Sequence, residues 1–391
     1  MPDPKRAFPW RNDNCFELLS EGERFLPVMV AAIGAARSHV LLELYLLTSG
    51  RVLNRFIEAL LGASRRGVRC WVLVDGFGAR GLRPRDQERL RQAGVALVWY
   101  NPLRYGALFG NFVRDHRKIL VIDGRVAFTG GFGFTDHFIP AGSARSYWRE
   151  VAVQAEGPVV SDWQALFAAT WKRVTGETLR LHAPAVVVSP AGQVGRVACS
   201  RGFLLPDIQR AWLHHISRAT RRVWLATAYF VPSMKMRRVL KRAGRRGVDV
   251  RLLLPGPITD HPAVRHAGRR FYGRLLRHGV RIFEYQPRFV HMKITLCDDW
   301  VSLGSANVDH WTARWNLEAN QEIFDAGFAA EVAAMLLQDF AACREITWEY
   351  WSHRPWYRRL LERFWGWADV WVLRLFGRGR LHRAVVKRLG R

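Results

Sequence analysis

Two three-residue segments carry the side chains best suited to chemistry. Residues 116–118 read His-Arg-Lys and residues 291–293 read His-Met-Lys. We predict that both lie on strands, where side chains two residues apart point to the same face, so the imidazole and the ammonium of each segment can address one ligand. The chain has 53 arginines but only seven lysines. Two lysines in matching segments are therefore poorly explained by a generally basic surface.

Two imidazoles that face one another suit double displacement at phosphorus. One histidine attacks as the nucleophile, while the other protonates the leaving alkoxide and then serves as base for the incoming hydroxyl. The two lysines and the amide of Asn307 would neutralise the non-bridging phosphoryl oxygens. This chemistry requires no metal and no organic cofactor, and we predict neither.

The elements that must position these segments occur twice in the same order. The first series is a buried strand from residue 39, an amphipathic helix over 51–67, a buried strand over 68–76, a polar helix over 85–92, a strand over 94–100 and the first His-x-Lys segment. The second series is a strand over 221–232, a helix over 236–247, a strand over 248–256, a helix over 269–279, a strand over 280–285 and the second segment. Alternation of strands and helices predicts an α/β fold of two similar halves, with the active site where they meet.

The repeat and the composition along the chain predict four regions. Residues 1–175 form the first half, residues 176–194 a linker rich in Pro, Gly, Thr and Val, residues 195–345 the second half, and residues 346–391 a basic, tryptophan-rich segment.

The paired segments resemble the HKD motifs of the phospholipase D superfamily, and the resemblance covers nearly the whole chain. Four further strings, at residues 14–37, 156–160, 228–232 and 316–320, resemble bacterial cardiolipin synthases of the short form without N-terminal membrane helices. The resemblance implies a duplicated phospholipase D-type α-β-α sandwich, with two pseudo-symmetric halves and one active site at their interface. It also implies transfer of a phosphatidyl group, through a phosphohistidine, from one phospholipid to phosphatidylglycerol, with release of glycerol when both are phosphatidylglycerol.

The same resemblance implies the roles of the motif residues. His116 and His291 become nucleophile and general acid/base, with His116 preferred as the nucleophile. Lys118 and Lys293 bind phosphate. The motif aspartates, Asp123 and Asp298, belong to the catalytic set but brace it rather than touch substrate. Glu150 and Glu318, which each precede an alternating strand, match the family carboxylates that hold the histidine tautomer.

Two features depart from the family pattern. Relatives commonly have Gly-Gly-x-Asn after the first motif, whereas this chain has Gly133 in the place of the asparagine. The second motif, which ends in Gly304 and Ser305 and is followed by Asn307, is one residue shorter than the first. Ser305 and Asn307 remain candidates for binding or orienting the substrate.

The formal net charge of +27 requires an anionic partner. From Arg354 to the end the net charge is +9, and six apolar residues recur there at helical spacing: Trp356, Leu360, Phe364, Trp367, Trp371 and Leu375. Tryptophan and arginine on one amphipathic helix suit the headgroup layer of an anionic bilayer. We therefore expect the partner to be anionic phospholipid, phosphatidylglycerol above all, at a membrane surface.

Several alternatives stay open at this point. Water in place of the alcohol would give a hydrolytic phospholipase D. The same motifs could also cleave nucleic acid, but the tryptophan-rich tail disfavours nucleic acid as the partner. A non-catalytic membrane scaffold fits poorly with two intact His-x-Lys pairs. The chain has no run of 18 apolar residues, no secretory signal and five scattered cysteines, so we expect a peripheral protein on the cytoplasmic face of a bacterial inner membrane. The second phospholipid, the acyl-chain preference and the oligomeric state are not specified.

Overall fold

The computed structural model describes residues 7–104, 110–140, 147–181, 192–201, 206–310 and 312–376. The first half comprises seven strands and four α-helices: β1 Arg11–Ser20, α1 Gly22–Ala35, β2 His39–Leu44, α2 Arg51–Arg65, β3 Arg69–Asp75, α3 Pro84–Gln92, β4 Ala96–Tyr100, β5 Lys118–Ile122, β6 Val126–Gly130, β7 Val151–Glu156 and α4 Val160–Thr175. Short 3-10 turns lie at Gly110–Phe112 and Asp136–Phe138.

The remaining described elements form the second half and a C-terminal extension. They are β8 Gln193–Arg201, α5 Asp207–Arg218, β9 Arg222–Ala226, β10 Phe230–Val231, α6 Met234–Arg245, β11 Asp249–Pro255, α7 Pro262–Arg269, α8 Tyr272–Leu276, β12 Val280–Tyr285, β13 Ile294–Cys297, β14 Trp300–Gly304, β15 Val308–Asp309, α9 Thr312–Trp315, β16 Leu317–Phe324, α10 Ala326–Ala341, β17 Cys343–Glu345, α11 Trp348–Ser352 and α12 Trp356–Phe376.

A single mixed sheet runs through both halves. Its order is β17-β12-β11-β9-β13-β14-β16-β8-β1-β7-β6-β5-β2-β3-β4, and the two halves join where β1 pairs with β8 in antiparallel register. In the first half β2 pairs with β3 in parallel and with β5 in antiparallel register. In the second half β9 pairs with β11 and β13 in the same two ways. The predicted duplication is therefore present in the strand pairing.

Helices cover both faces of this sheet. On one face, α4 and α10 share a core with strands of both halves, through side chains such as Phe167, Val332 and Leu41. On the other face, α1 and α2 cover the first half and α5 and α6 cover the second. Burial on both faces explains why all six residues of β2 are buried and four of them are apolar, since alternate residues enter different cores. The predicted α-β-α sandwich is confirmed.

Some predicted boundaries differ from the structure. The strand expected over 221–232 is broken between Ala226 and Phe230, and the short β10 pairs in parallel with β15 rather than with the main sheet. Strand β8 begins at Gln193, inside the end of the predicted linker, and residues 182–191 of that linker lie outside the described residues. Within the described ranges, no helix combines the length and the apolar character that crossing a membrane requires.

Candidate active site

Backbone pairing across the two halves places both motif histidines. His116 N donates to Leu317 O at 3.0 Å, and Leu317 N donates to Arg114 O at 2.9 Å. In the same way His291 N donates to Arg149 O at 2.8 Å, and Arg149 N donates to Phe289 O at 2.8 Å. Each histidine therefore lies against the strand segment of the opposite half, and one site forms at the junction.

The prediction that each histidine lies on a strand with its lysine was wrong. Strand β5 begins only at Lys118 and β13 only at Ile294, so both histidines and Lys293 precede the strands. The segments that carry the histidines are not part of the main sheet, because their backbones pair with the other half. The pairing consists of isolated bridges of Asp115 with Leu317 and of Arg149 with Val290.

Each histidine is held by a glutamate from the other half. His116 Nδ1 lies 3.1 Å from Glu318 Oε2, and His291 Nδ1 lies 2.6 Å from Glu150 Oε2. A carboxylate that accepts from Nδ1–H fixes the tautomer in which Nε2 carries the free lone pair. The arrangement thus presents two Nε2 atoms as the nitrogens able to react.

The two lysines are buried beside the histidines. Lys118 Nζ donates to His116 O and lies 5.3 Å from the centre of the Tyr45 ring. Lys293 Nζ donates to His291 O and lies 3.8 Å from Glu150 Oε2. Burial of the ammonium groups lowers the pKa of Lys118 to about 7 and that of Lys293 to about 8, against the opposing charges of Glu318 and Glu150 respectively.

The other charged groups of the site respond to the same burial. Burial raises the pKa of Glu318 to about 8, and the positive charge of Lys118 opposes the rise. Burial, followed by the charge of the lysine in its own motif, lowers the pKa of His116 and of His291 well below its ordinary value. In the free site both imidazoles are therefore neutral. The positive charge of each lysine and the negative charge of the glutamate near it stabilise each other.

The residues after β6 and β14 support the glutamates in different ways. Ser305 Oγ donates to Glu318 Oε2, so it orients the carboxylate that holds His116. At the matching position in the first half, a Cβ on Gly131 would lie 2.2 Å from Glu150 Oε2, so glycine leaves the room that this carboxylate occupies. We assign both positions an orienting role.

The place of the missing asparagine is occupied by backbone. A Cβ on Gly133 would lie 2.7 Å from Leu46 O, which leaves no room for an amide side chain there. In the second half, Asn307 Oδ1 accepts from the Thr227 hydroxyl at 3.3 Å, which leaves the Asn307 NH₂ group to act as a donor. The two halves are therefore unequal at the phosphate site.

The motif aspartates lie at the far ends of their strands and cap backbone. Asp123 accepts from the N–H groups of the segment before β2 (Arg37, Ser38 and His39) at 2.8–2.9 Å. Asp298 accepts from the segment before β9 (Thr220, Arg221 and Arg222) at 2.9–3.0 Å. We assign both a bracing role in place of a catalytic one. Among the described residues, no group of three or more His, Cys, Asp or Glu side chains is placed to hold a metal ion.

Sequence reasoning missed several residues around the histidines. The Tyr45 ring lies 4.7 Å from the His116 ring, and the Trp148 ring lies 4.8 Å from the His291 ring. The buried guanidinium of Arg149, whose backbone positions His291, forms a two-pronged ion pair with Asp339 at 2.9 and 3.0 Å. A tyrosine follows the corresponding strand of each half, Tyr45 directly after β2 and Tyr229 three residues after the end of β9, and this partial match was a signal for Tyr45; Trp148 and Arg149 gave no comparable signal.

Comparison with known proteins identifies the family to which the chain is similar. The family model described as "Cardiolipin synthase, PLD-like domain" matches residues 29–171 and 212–341. The chain is similar to Cardiolipin synthase B of Shigella flexneri, with 34% identity over 359 residues that cover 89% of this chain and 86% of that protein. It is similar to Cardiolipin synthase A of Pseudomonas entomophila, with 37% identity over 351 residues that cover 87% of this chain and 71% of that protein.

Among solved structures, the chain is similar to the phosphatidylserine synthase of Haemophilus influenzae Rd KW20. The TM-score is 0.68, and the match covers 95% of this chain and 97% of that one. The sequence identity is 13%, so this likeness shows the fold alone.

Proposed function

The chain belongs to the family of cardiolipin synthases with a PLD-like domain, and from this premise we propose that it joins two molecules of phosphatidylglycerol into cardiolipin and glycerol through a phosphohistidine. The enzyme is a phosphatidyltransferase. The observation that carries the mechanism is the crossed pairing of His116 with Glu318 and of His291 with Glu150, which gives one site two oriented imidazoles.

The first half-reaction forms the covalent intermediate. Nε2 of His116 attacks phosphorus of the donor lipid, the bond from phosphorus to the glycerol oxygen breaks, and His291 gives its proton to that oxygen. The negative phosphodiester, bound between Lys118 and Lys293, raises the pKa of His291 and so supplies the imidazolium that this step needs. The lysines stabilise the charge that develops on the phosphoryl oxygens.

The second half-reaction reverses the proton movement. A glycerol hydroxyl of the second phosphatidylglycerol attacks phosphorus, and His291 accepts its proton. The bond between phosphorus and His116 breaks, and cardiolipin leaves. Water in the same position would give phosphatidic acid, so the outcome depends on how well the closed site excludes water.

Lipid analysis of a single incubation tests this proposal. Purified protein is incubated with phosphatidylglycerol vesicles, and the products are separated, with a His116→Ala variant as the inactive control. We expect cardiolipin and free glycerol in equal amounts. Phosphatidic acid as the sole lipid product would show that the enzyme hydrolyses phosphatidylglycerol and does not transfer the phosphatidyl group. Cleavage of DNA without lipid turnover would overturn the proposal.

The pH dependence of the reaction follows from the lysines. An ordinary lysine keeps its proton to about pH 10.4, whereas the pKa values of Lys118 and Lys293 are about 7 and about 8. We therefore expect kcat/KM to fall as the pH rises through this range, because a neutral amine no longer neutralises the phosphate. On the acid side the imidazoles stay neutral, but the pKa of Glu318 is about 8, so protonation of the carboxylate that holds His116 is expected to lower kcat/KM as the pH falls through this value.

A pH profile of the Lys118→Arg variant tests the assignment. Because a guanidinium stays protonated throughout this range, the alkaline limb should move upward by about one pH unit or more, even if the maximal rate falls. A limb that stays in place would assign it to a histidine instead.

Helix α12 supports action at a membrane surface. Its residues Trp356, Leu360, Phe364 and Trp367 recur at helical spacing and are 72%, 51%, 57% and 62% exposed. The opposite face is fixed to the second half, because the buried Glu362 pairs with Arg269 at 3.3 Å and with Arg354 at 3.1 Å. Trp371 and Leu375 fall on the same helix, but their side chains, like residues 377–391, lie outside the described part of the chain.

This exposed stripe is the surface that we propose contacts anionic lipid. A contiguous row of large apolar side chains on a docked helix is unusual on a free surface, and the arginines of the segment complement anionic headgroups. The helix that carries the stripe packs on α7 through the ion pair of Glu362 with Arg269, and α7 in turn contacts β10, which begins directly after Tyr229.

Removal of two side chains from the stripe should weaken vesicle binding. For Trp356→Ala combined with Phe364→Ala we expect about tenfold weaker co-sedimentation with phosphatidylglycerol vesicles, since both side chains bury apolar area at the interface. The matched control is Leu337→Ala, which removes an exposed side chain from α10. Equal binding of the double variant and the control would disprove the role of α12.

A further inference from the structure

A tyrosine and an aspartate form a close pair beside the second motif. Tyr229 Oη donates to Asp260 Oδ2 at 2.6 Å. Tyr229 lies three residues after the end of β9 and directly before β10. The loop that carries Asp260 follows β11, and the matching loop after β3 begins GFGARGL, with no acidic residue. The first half has Asp75 at the end of β3, but its oxygens accept from the N–H groups of Phe77, Gly78 and Asp115, so an acidic side chain in this loop is particular to the second half.

Several contacts attach this pair to the phosphate site. The Thr227 hydroxyl lies 3.0 Å from Tyr229 O and 3.3 Å from Asn307 Oδ1, and it accepts from Val308 N at 3.2 Å. Two residues after Thr227, the chain reaches Tyr229 and enters β10, which pairs with β15 directly after Asn307. The negative charge of Asp260 also raises the pKa of His291 and of Lys293 against the effect of burial, so the carboxylate lies near the second motif.

The chemistry of a carboxylate at this position restricts what it can bind. An ionised carboxyl group is an acceptor with about four lone-pair sites, and Tyr229 occupies one of them. His261 Nε2 lies 3.8 Å from the same oxygen, Oδ2, and the Asp260 side chain is 25% exposed, which leaves the carboxylate accessible to a ligand. The carboxylate repels a phosphodiester, which belongs beside the lysines. Its partner must therefore be the part of the headgroup that carries hydrogen-bond donors.

We propose that Asp260, oriented by Tyr229, binds the hydroxyl groups of the glycerol headgroup and so selects glycerol as the alcohol of the reaction. This proposal rests on the proposed function. The leaving oxygen of the first step and the attacking oxygen of the second occupy the same position opposite Nε2 of His116, so one glycerol pocket serves both steps. One terminal hydroxyl exchanges its proton with His291 as its bond to phosphorus breaks or forms. Asp260 accepts from the remaining hydroxyls and keeps its charge throughout.

Competition between two free alcohols tests the proposal without reference to the overall rate. The full-length enzyme is supplied with phosphatidylglycerol in detergent micelles, together with ¹³C-labelled glycerol and 1-propanol. Mass spectrometry gives the ratio of labelled phosphatidylglycerol to phosphatidylpropanol. Both products arise from the same phosphohistidine, so the ratio does not depend on how much of a variant is folded or active.

For Asp260→Asn we expect this ratio to fall by about tenfold or more, because charge-assisted hydrogen bonds to glycerol are lost while 1-propanol loses nothing. Tyr229→Phe should lower the ratio less, since it loosens the carboxylate without removing it. The matched control is Asp249→Asn: Asp249 also accepts from an aromatic side chain, Trp224, at 2.9 Å, but lies at the other end of β11. Its ratio should equal that of the wild type.

The outcomes separate the two proposals. Wild-type enzyme that transfers to both alcohols, with an unchanged ratio in Asp260→Asn, overturns the glycerol-selecting role alone. Wild-type enzyme that releases only phosphatidic acid and labels neither alcohol overturns the transferase proposal itself.

Discussion

Replacement of His116 by alanine is expected to lower the rate of phosphatidyl transfer by at least about a thousandfold, since the nucleophile is removed and His291 stands on the side of the leaving oxygen. Replacement of His291 should cost a similar factor with phosphatidylglycerol, because the glycerol oxygen then leaves without a proton. The two losses have different causes, and a substrate with a better leaving group separates them.

A phosphatidyl ester of p-nitrophenol provides that substrate. Its leaving group needs no proton, so His291→Ala should still release one equivalent of p-nitrophenol in a burst and accumulate a phosphohistidine that survives a basic quench. His116→Ala should give neither. The exposed His353, which lies on the surface beside α11, provides a control substitution to alanine with wild-type behaviour. A burst in His116→Ala but not in His291→Ala would exchange the two roles.

Substitution of each glutamate should impair the catalytic histidine of the opposite half. Glu318→Gln removes the carboxylate that holds His116, and an amide NH₂ facing Nδ1 favours the tautomer in which Nε2 carries the proton and cannot attack. We expect a loss of about a thousandfold or more, comparable to that caused by neutralising the orienting carboxylate of a catalytic triad. Glu150→Gln should impair His291 to a similar degree.

The p-nitrophenyl substrate again distinguishes the variants. Glu318→Gln, a change in the second half, should lose the burst as His116→Ala does, whereas Glu150→Gln, a change in the first half, should keep it. Ser305→Ala removes only a hydrogen bond to Glu318 and should cost no more than about tenfold. A lost burst in Glu150→Gln together with a normal burst in Glu318→Gln would contradict the crossed pairing.

The sequence was sufficient for much of the fold because the relevant signals are local. The apolar run of β2, the amphipathic period of α2 and the repetition of both in the second half predicted an α/β fold of two similar halves. The His-x-Lys segments predicted the reaction class, because their residue types and their rarity in an arginine-rich chain are properties of composition and order. Family membership was also predictable from the same motifs, and the comparisons confirmed it.

The boundaries of the motif strands were not predictable, since they depend on the partner of each backbone segment. His116 and His291 leave the regular strands to pair with Leu317 and Arg149 of the opposite half. The absence of an amide at Gly133 likewise had no visible reason in the sequence. The reason is the carbonyl of Leu46, which occupies the space that a side chain would need.

The sequence by itself predicted which residue types form the candidate site: two histidines, two lysines and two glutamates. Only the tertiary structure decided which glutamate serves which histidine. Glu318 and His116 are 202 residues apart and Glu150 and His291 are 141 apart, and the contacts exist because β1 and β8 join the halves into one sheet. Packing within the second half likewise brings Tyr229 to Asp260 across a separation of 31 residues, and such a contact leaves no local pattern in the sequence.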